Sequence, residues 1–273
     1  MTISILQATR AASRPRHSKG IAFGLAALVL SVGGCAPTAQ LSQVPPSGVA
    51  PSVAAPAIAA GDSWTYQVRD GFTGLPRPEQ RHEVTRVGGG RVEVAGNVER
   101  GDGRQVYDGE WNWLRRPATD LQTFEYQPAY QAYAFPLTPG KTWRSDTIAT
   151  DPRDGRRFPV KIEARVLGWE RVRVPAGEFD ALKIERRVSI AYWEYSLRGG
   201  SFIKEYDWYA PSVKWAVKRE AEALYLSYTG MHAAGLDSGF MRVADGSGRD
   251  GGGGPRYLRD DWFVYELASF TVR

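Results

Sequence analysis

The sequence predicts a mainly antiparallel β domain, and three observations carry that expectation. Short runs alternate apolar and polar residues with the period of two that a half-buried strand requires. Gly, Pro and Asp clusters separate the runs, as turns between antiparallel strands do. From Gly61 onward the chain is rich in Trp, Tyr and Val, which suit a pleated, packed surface. Its length suits one domain with a substantial core.

The runs follow in order. Asp62–Arg69 opens the domain and turns at Gly71-Phe-Thr-Gly-Leu-Pro. Arg81–Val87 and Arg91–Val98 form a hairpin around Gly88-Gly-Gly. Gln105–Leu114 and Leu121–Gln127 make the next pair, joined through Arg116-Pro117. Lys141–Thr150 and Phe158–Leu167 flank Asp151-Pro-Arg-Asp-Gly. Glu170–Val174 and Phe179–Trp193 flank Pro175-Ala-Gly-Glu. Within the last run Leu182, Ile184, Val188, Ile190 and Tyr192 share one face, and Lys183, Glu185, Arg187 and Ser189 the other. That is a sheet with one buried and one wet face. Phe202–Tyr209 and Val213–Ser227 continue around Ala210-Pro211. The second of these has helical propensity at Lys218–Leu224, but Trp215, Val217 and Tyr225-Leu-Ser-Tyr favour a strand. Gly235–Pro255 is Gly/Asp/Ser-rich and reads as a mobile loop. Asp261–Val272 closes the domain and must reach back across that loop to pair. Ala60-Gly-Asp-Ser-Trp-Thr and Pro139-Gly-Lys-Thr-Trp-Arg echo each other, either as two related sheet halves or as a common way of starting a strand.

Before the domain stand Arg10, Arg14, Arg16 and Lys19, then the apolar run Ile21–Val32, then Gly33 and Gly34, with no acidic residue in the first thirty-four positions. A basic flank, a short apolar run and small residues describe a secretory signal peptide, 1–34. The run is shorter than the roughly 20 apolar residues a membrane-crossing helix needs. Of the 35 Lys and Arg, those four leave with the signal, so 31 remain against 30 Asp and Glu. A near-neutral mature chain lacks the basic footprint of nucleic-acid binding. Residues 37–60, uncharged and carrying five prolines, read as an extended, disordered tether. The domain then spans 61–273.

Val32-Gly33-Gly34-Cys35 resembles the lipobox of bacterial lipoproteins. The resemblance implies cleavage before Cys35, a diacylglyceryl group on its thiol, and acylation (palmitate-like) of the new amine. Two or three acyl chains hold a protein on a membrane essentially permanently. Cys35 is also the only cysteine, and a lone cysteine in an exported chain needs such an explanation. Ala36, rather than Asp, implies sorting to the cell outer membrane on its periplasmic face. Further on, Phe135–Trp143, Val174–Ile184 and Trp208–Glu220 together resemble a family of uncharacterised proteobacterial envelope proteins with a LolA/LolB-like domain. That resemblance implies a single curved antiparallel sheet or unclosed barrel with an apolar inner face. Family members often carry Gly where Lys214 or Trp215 stands. No catalytic residues carry over from the family.

Site-like features point to no chemistry. His82 and His232 are far apart in sequence and read as incidental, so no metal is expected. G-x-S-x-G and phosphate-loop motifs are absent. Asp245–Gly251 lacks the ligands of a calcium loop. Glu178 and Asp180 alternate around Phe179 beside a turn, as a solvated edge does, rather than as a glycosidase pair. Trp111, Trp113, Tyr126, Tyr130, Tyr133, Trp193, Tyr195, Tyr206, Trp208 and Tyr209 either fill the core or line an apolar groove. The expectation is therefore an outer-membrane lipoprotein, not an enzyme, without cofactor. Its domain would bind an apolar ligand or a lipoprotein. The alternatives are a structural or assembly partner of an envelope protein, or a polysaccharide-binding module.

Overall fold

The computed structural model describes residues 41–97, 103–119, 122–191, 198–227 and 256–273. Cys35 and the rest of the signal segment, Trp193, Tyr195, His232, the Asp245 loop and the Gly235–Pro255 stretch lie outside the described residues. Thr38–Arg273 form one unit.

Among the described residues twelve strands run β1 (Ser63–Asp70), β2 (Pro76–Gly88), β3 (Arg91–Gly96), β4 (Arg104–Asp108), β5 (Trp113–Thr119), β6 (Gln122–Tyr130), β7 (Thr142–Thr150), β8 (Arg157–Val174), β9 (Gly177–Ile190), β10 (Arg198–Ala210), β11 (Trp215–Ser227) and β12 (Arg256–Thr271). Each pairs antiparallel with its neighbour in sequence, and β12 pairs with β1, so the sheet is a closed barrel. This corrects the expected single curved sheet or unclosed barrel. The closing seam runs from Ser63↔Thr271 to Asp70↔Phe263. An open sheet would leave two rows of unpaired N–H and C=O groups, and joining β1 to β12 removes both edges at once. Asp62, fully buried, locks the seam. Its carboxylate accepts from the backbone N of Arg273 at 2.8 Å, the backbone N of Ala59 at 3.0 Å and Lys214 Nζ at 3.2 Å.

Several boundaries differ from those expected. The run expected as Gln105–Leu114 breaks because Asp108 Oδ1 accepts from the backbone of Glu110 (2.8 Å) and Asn112 (2.9 Å), forming a turn that separates β4 from β5. Arg116-Pro117, expected as a joint, lies inside β5. The runs Phe158–Leu167 and Glu170–Val174 are one strand, β8, because Gly168, at φ 145°, absorbs the extra residue of a bulge. The ambiguous Val213–Ser227 run is a strand from Trp215, since partners on both sides override its helical propensity.

The β2–β3, β4–β5, β6–β7, β8–β9 and β10–β11 connections meet the start of β1 and the end of β12 at one end of the barrel, here termed basal. The basal interior is filled by indoles. Trp111 stacks on Trp215 at 4.5 Å and 2°, and Trp64 meets both edge-on. Trp64 Nε1 donates to Val213 O at 2.9 Å and Trp111 Nε1 to Lys214 O at 2.8 Å. Lys214 sits at φ 62°, a conformation that favours glycine. Phe124, Phe158, Val160, Ile162 and Val94 continue the packed interior toward the apical end.

The outer face carries Lys161, Glu163 and Arg165 on β8 and Lys183, Glu185 and Arg187 on β9, alternating with buried Ile162, Ala164, Ile184 and Val188. A cation on the lipid side of a membrane barrel costs about 2–4 kcal/mol at the bilayer midplane. Rows of charge on this face therefore mark a water-facing barrel. Among the described residues no helix is long and apolar enough to cross a membrane.

The segment expected as a disordered tether is tied down from Leu41. Ser42 exchanges two backbone hydrogen bonds with Trp169 (2.8 and 2.7 Å), and Val53 exchanges two with Leu137 (2.9 and 2.8 Å). Val53 is buried, and Val49 and Ile58 pack on the core. The register of β7 with β8 starts at Thr142↔Arg165, so the end of β8 beyond Val166 has a free edge that Ser42 occupies.

Candidate functional site

Strand parity places an ion-pair cluster of four charged side chains inside the barrel, with Arg116, opposite the buried Phe124, on the same inner face. On β9, Arg186 takes the inward position between Ile184 and Val188, and it is fully buried. On β10, Glu205 and Asp207 point inward, and on β11 so does Arg219. Arg186 donates from Nε to Glu205 Oε2 at 2.8 Å, from NH2 to Asp207 Oδ2 at 2.8 Å, and from NH1 to Ala132 O at 3.2 Å. Arg219 NH2 donates to Glu205 Oε1 at 2.8 Å, and its Nε stands 3.6 Å from Asp207 Oδ1. Tyr130 and Tyr133 hydroxyls donate to Glu205 (3.2 Å) and Asp207 (2.7 Å).

Within these four, two cations face two carboxylates, and Arg116 adds a further positive charge that acts on Glu205. Burial pushes the Glu205 carboxyl up, but Arg219 and Arg186 outweigh it and hold the group down at about 2. Burial, then Glu205 and Asp207 respectively, keep the Tyr130 and Tyr133 hydroxyls protonated far above the usual tyrosine range. A carboxylate so acidic is a poor base, and its oxygens are already engaged. The cluster ties β9, β10 and β11 together across the interior. Sequence reading missed it, although one signal was present: Arg186 interrupts the apolar row Leu182, Ile184, Val188.

The ten candidate aromatics divide. Trp111, Tyr126, Tyr130, Tyr133 and Tyr209 are buried inside. Trp113, half-buried, stacks on Tyr130 at 4.0 Å beneath Arg116, whose guanidinium lies 4.0 Å from its ring centre. Trp208 and Tyr206 belong to the outer face but are roofed by lysines: Lys183 and Lys218 lie 4.5 and 4.6 Å from the Trp208 ring, and Lys204 lies 5.0 Å from Tyr206. Trp208 is only 3% exposed, so this is no open stacking row for a sugar.

His82 is buried against Tyr66 and Trp215, with Nδ1 3.3 Å from Gln105 Nε2. Burial, aided by Arg116 and Arg219, lowers its pKa to about 3 and keeps the ring neutral. Glu178 pairs with Arg173 and Arg171, which lower its pKa, and Asp180 stands 3.8 Å from Arg171, so the two sit on a charged hairpin. Among the described residues no three His, Cys, Asp or Glu converge as a metal site would require.

An accessible recess lies on the outer face, across β8 to β11, with a volume of about 460 Å³. Two rungs of the sheet build it. One aligns Lys161, Ser189, Phe202 and Leu224; the next aligns Glu163, Arg187, Lys204 and Glu222. The first rung is apolar in its β10–β11 half. Phe202 is 46% exposed and meets Tyr257 edge-on at 5.2 Å. The second rung alternates charge and compensates itself.

No family model matches the chain, and no curated protein does. Three solved structures are similar in shape. One is a candidate lipoprotein from Parabacteroides distasonis ATCC 8503, at 12% identity over 80% of this chain and 99% of that one, with a TM-score of 0.43. An exported protein with a YmcC-like fold from Bacteroides fragilis NCTC 9343 matches at 14% identity over 81% and 100%, TM-score 0.43. The hypothetical lipoprotein YmcC from Escherichia coli (K12) matches at 12% identity over 62% and 88%, TM-score 0.39. Likenesses of this strength carry no argument about the barrel's function.

Proposed function

We propose that the protein is a lipid-anchored lipoprotein of the cell envelope, held through Cys35 on the periplasmic face of the outer membrane. Its barrel is a non-catalytic binding module. The ligand is an apolar chain, taken in the outer recess between β8 and β11 rather than inside the barrel. One observation carries this reading: the interior is occupied by the protein's own indoles and ion pairs, while Phe202 stands exposed beside Leu224 and Tyr257 in a recess of ligand size. Lys161 ends the same rung and suits an anionic head group on such a chain.

The test is native mass spectrometry of the chain from Thr38, produced in a periplasm, followed by solvent extraction. A bound lipid or fatty-acid mass, lost in Phe202→Asp, supports the recess. A clean mass that takes up no added palmitate sinks the ligand reading. It would favour a second one, an assembly partner docking on the self-compensating Glu163–Arg187–Lys204–Glu222 rung. Intact mass of the full chain from membranes tests acylation at Cys35 separately.

A further inference from the structure

We infer that residues 41–62, just before β1, are a clamp, which holds the basal end of the barrel against the membrane. This rests on the reading of Cys35 as the lipidated residue. Only six residues lie between Cys35 and Ser42, and seven Cα–Cα steps of at most about 3.6 Å span roughly 25 Å. A tether free until Gly61 would reach about 90 Å and leave the barrel without orientation.

The attachment is built on both sides. Ser42 and Val53 each exchange a pair of backbone hydrogen bonds with the barrel, and Gln43 Nε2 donates to Leu167 O at 2.8 Å. The receiving strand is shaped for the segment. A Cβ on Gly168 would stand 2.7 Å from Ser42 O, a distance that real side chains do not adopt, and φ at Gly168 is 145°. Val53 pairs with Leu137 of the β6–β7 connection, so the segment is held at two points, on β8 and on that connection. The partner of that rim is a lipid surface. The opposite end, with the Phe72 turn, faces away from it.

The experiment uses the mature chain from Cys35 on vesicles of phosphatidylethanolamine and phosphatidylglycerol. Its single cysteine is coupled to a maleimide lipid, alongside the natively processed protein. A fluorescent amino acid replaces Glu110 (basal turn) or Thr73 (apical turn), with an acceptor in the head groups. Strand lengths place the two turns about 30 Å apart. Energy transfer about twofold or more higher from position 110 than from 73 is expected. The double variant Ser42→Pro, Val53→Pro, which removes two N–H donors outside the barrel, should bring the two values together. Amide exchange at Ser42 and Val53 should be slow in the parent chain. Equal transfer from both positions, or free exchange at both amides, overturns the clamp. If native protein carries no lipid yet the coupled chain is oriented, the anchor reading fails and the clamp stands.

Discussion

Replacing Glu205 with Gln tests whether the interior cluster is structural. Glu205 accepts two charge-assisted hydrogen bonds at 2.8 Å, one from each buried arginine, and a third from Tyr130 at 3.2 Å. An amide keeps one acceptor oxygen and turns an N–H₂ toward a guanidinium donor, so at least one bond becomes a donor–donor clash. Two cations are then left facing Asp207 alone. A charge-assisted bond contributes about 1.5–3 kcal/mol, and breaking a buried pair from one side costs about 3–5 kcal/mol. For a domain of this size that is a fall in Tm of roughly 6–20 °C. Thermal unfolding followed by circular dichroism at pH 7 reads it directly. The acid limb gives an independent check. Because the folded pKa of Glu205 lies below the usual glutamate value, its contribution is fully present above about 4.5 and is lost as pH falls toward about 2. Glu205→Gln should therefore flatten stability over that window. A loss below 1 kcal/mol with an unchanged acid limb would refute the reasoning. It would mean that the cluster is solvated in the folded protein.

The imidazole of His82 is held neutral, with its pKa lowered from 6.5 to about 3, so the unfolded chain binds a proton that the folded one does not. Stability should fall as pH drops below 6.5, by up to about 1.4 kcal/mol per pH unit. His82→Asn should remove that slope between pH 6.5 and 4.5 in urea titrations, above the window of Glu205. Trp111→Ala empties a fully buried indole site and should cost about 3–5 kcal/mol, with loss of the near-ultraviolet signal of the Trp111–Trp215 stack. Phe202→Asp, on an exposed outer position, should leave the unfolding midpoint almost unchanged while abolishing uptake of palmitate in native mass spectrometry.

Much of this protein is settled by local rules. The alternation of Leu182, Ile184 and Val188 against Lys183, Glu185 and Arg187 assigns faces to β9 without any partner in view, because strand geometry alone fixes which side chains share a side. Pro175-Ala-Gly177 predicts its own turn, and Gly177 indeed takes a positive φ of 134°. Ala210-Pro211 ends β10 because proline cannot donate to a ladder. The N-terminal basic, apolar and small residues and Cys35 carry the anchor reading by composition.

Closure, by contrast, depends on the register between strands about two hundred residues apart in sequence, Ser63 with Thr271, and no periodicity within either strand encodes that pairing. The interior cluster is illegible for the same reason. Arg186, Glu205, Asp207 and Arg219 each look like a lone polar residue in a strand until cross-strand neighbours bring their charges within 4 Å. The recess exists only because Phe202 and Leu224 fall on one rung beside Ser189. The sequence by itself determined the period and most of the turns, which are local. Pairing decided closure, the ion-pair interior, the clamp and the outward recess, since each is a relation between residues that only the folded chain makes neighbours.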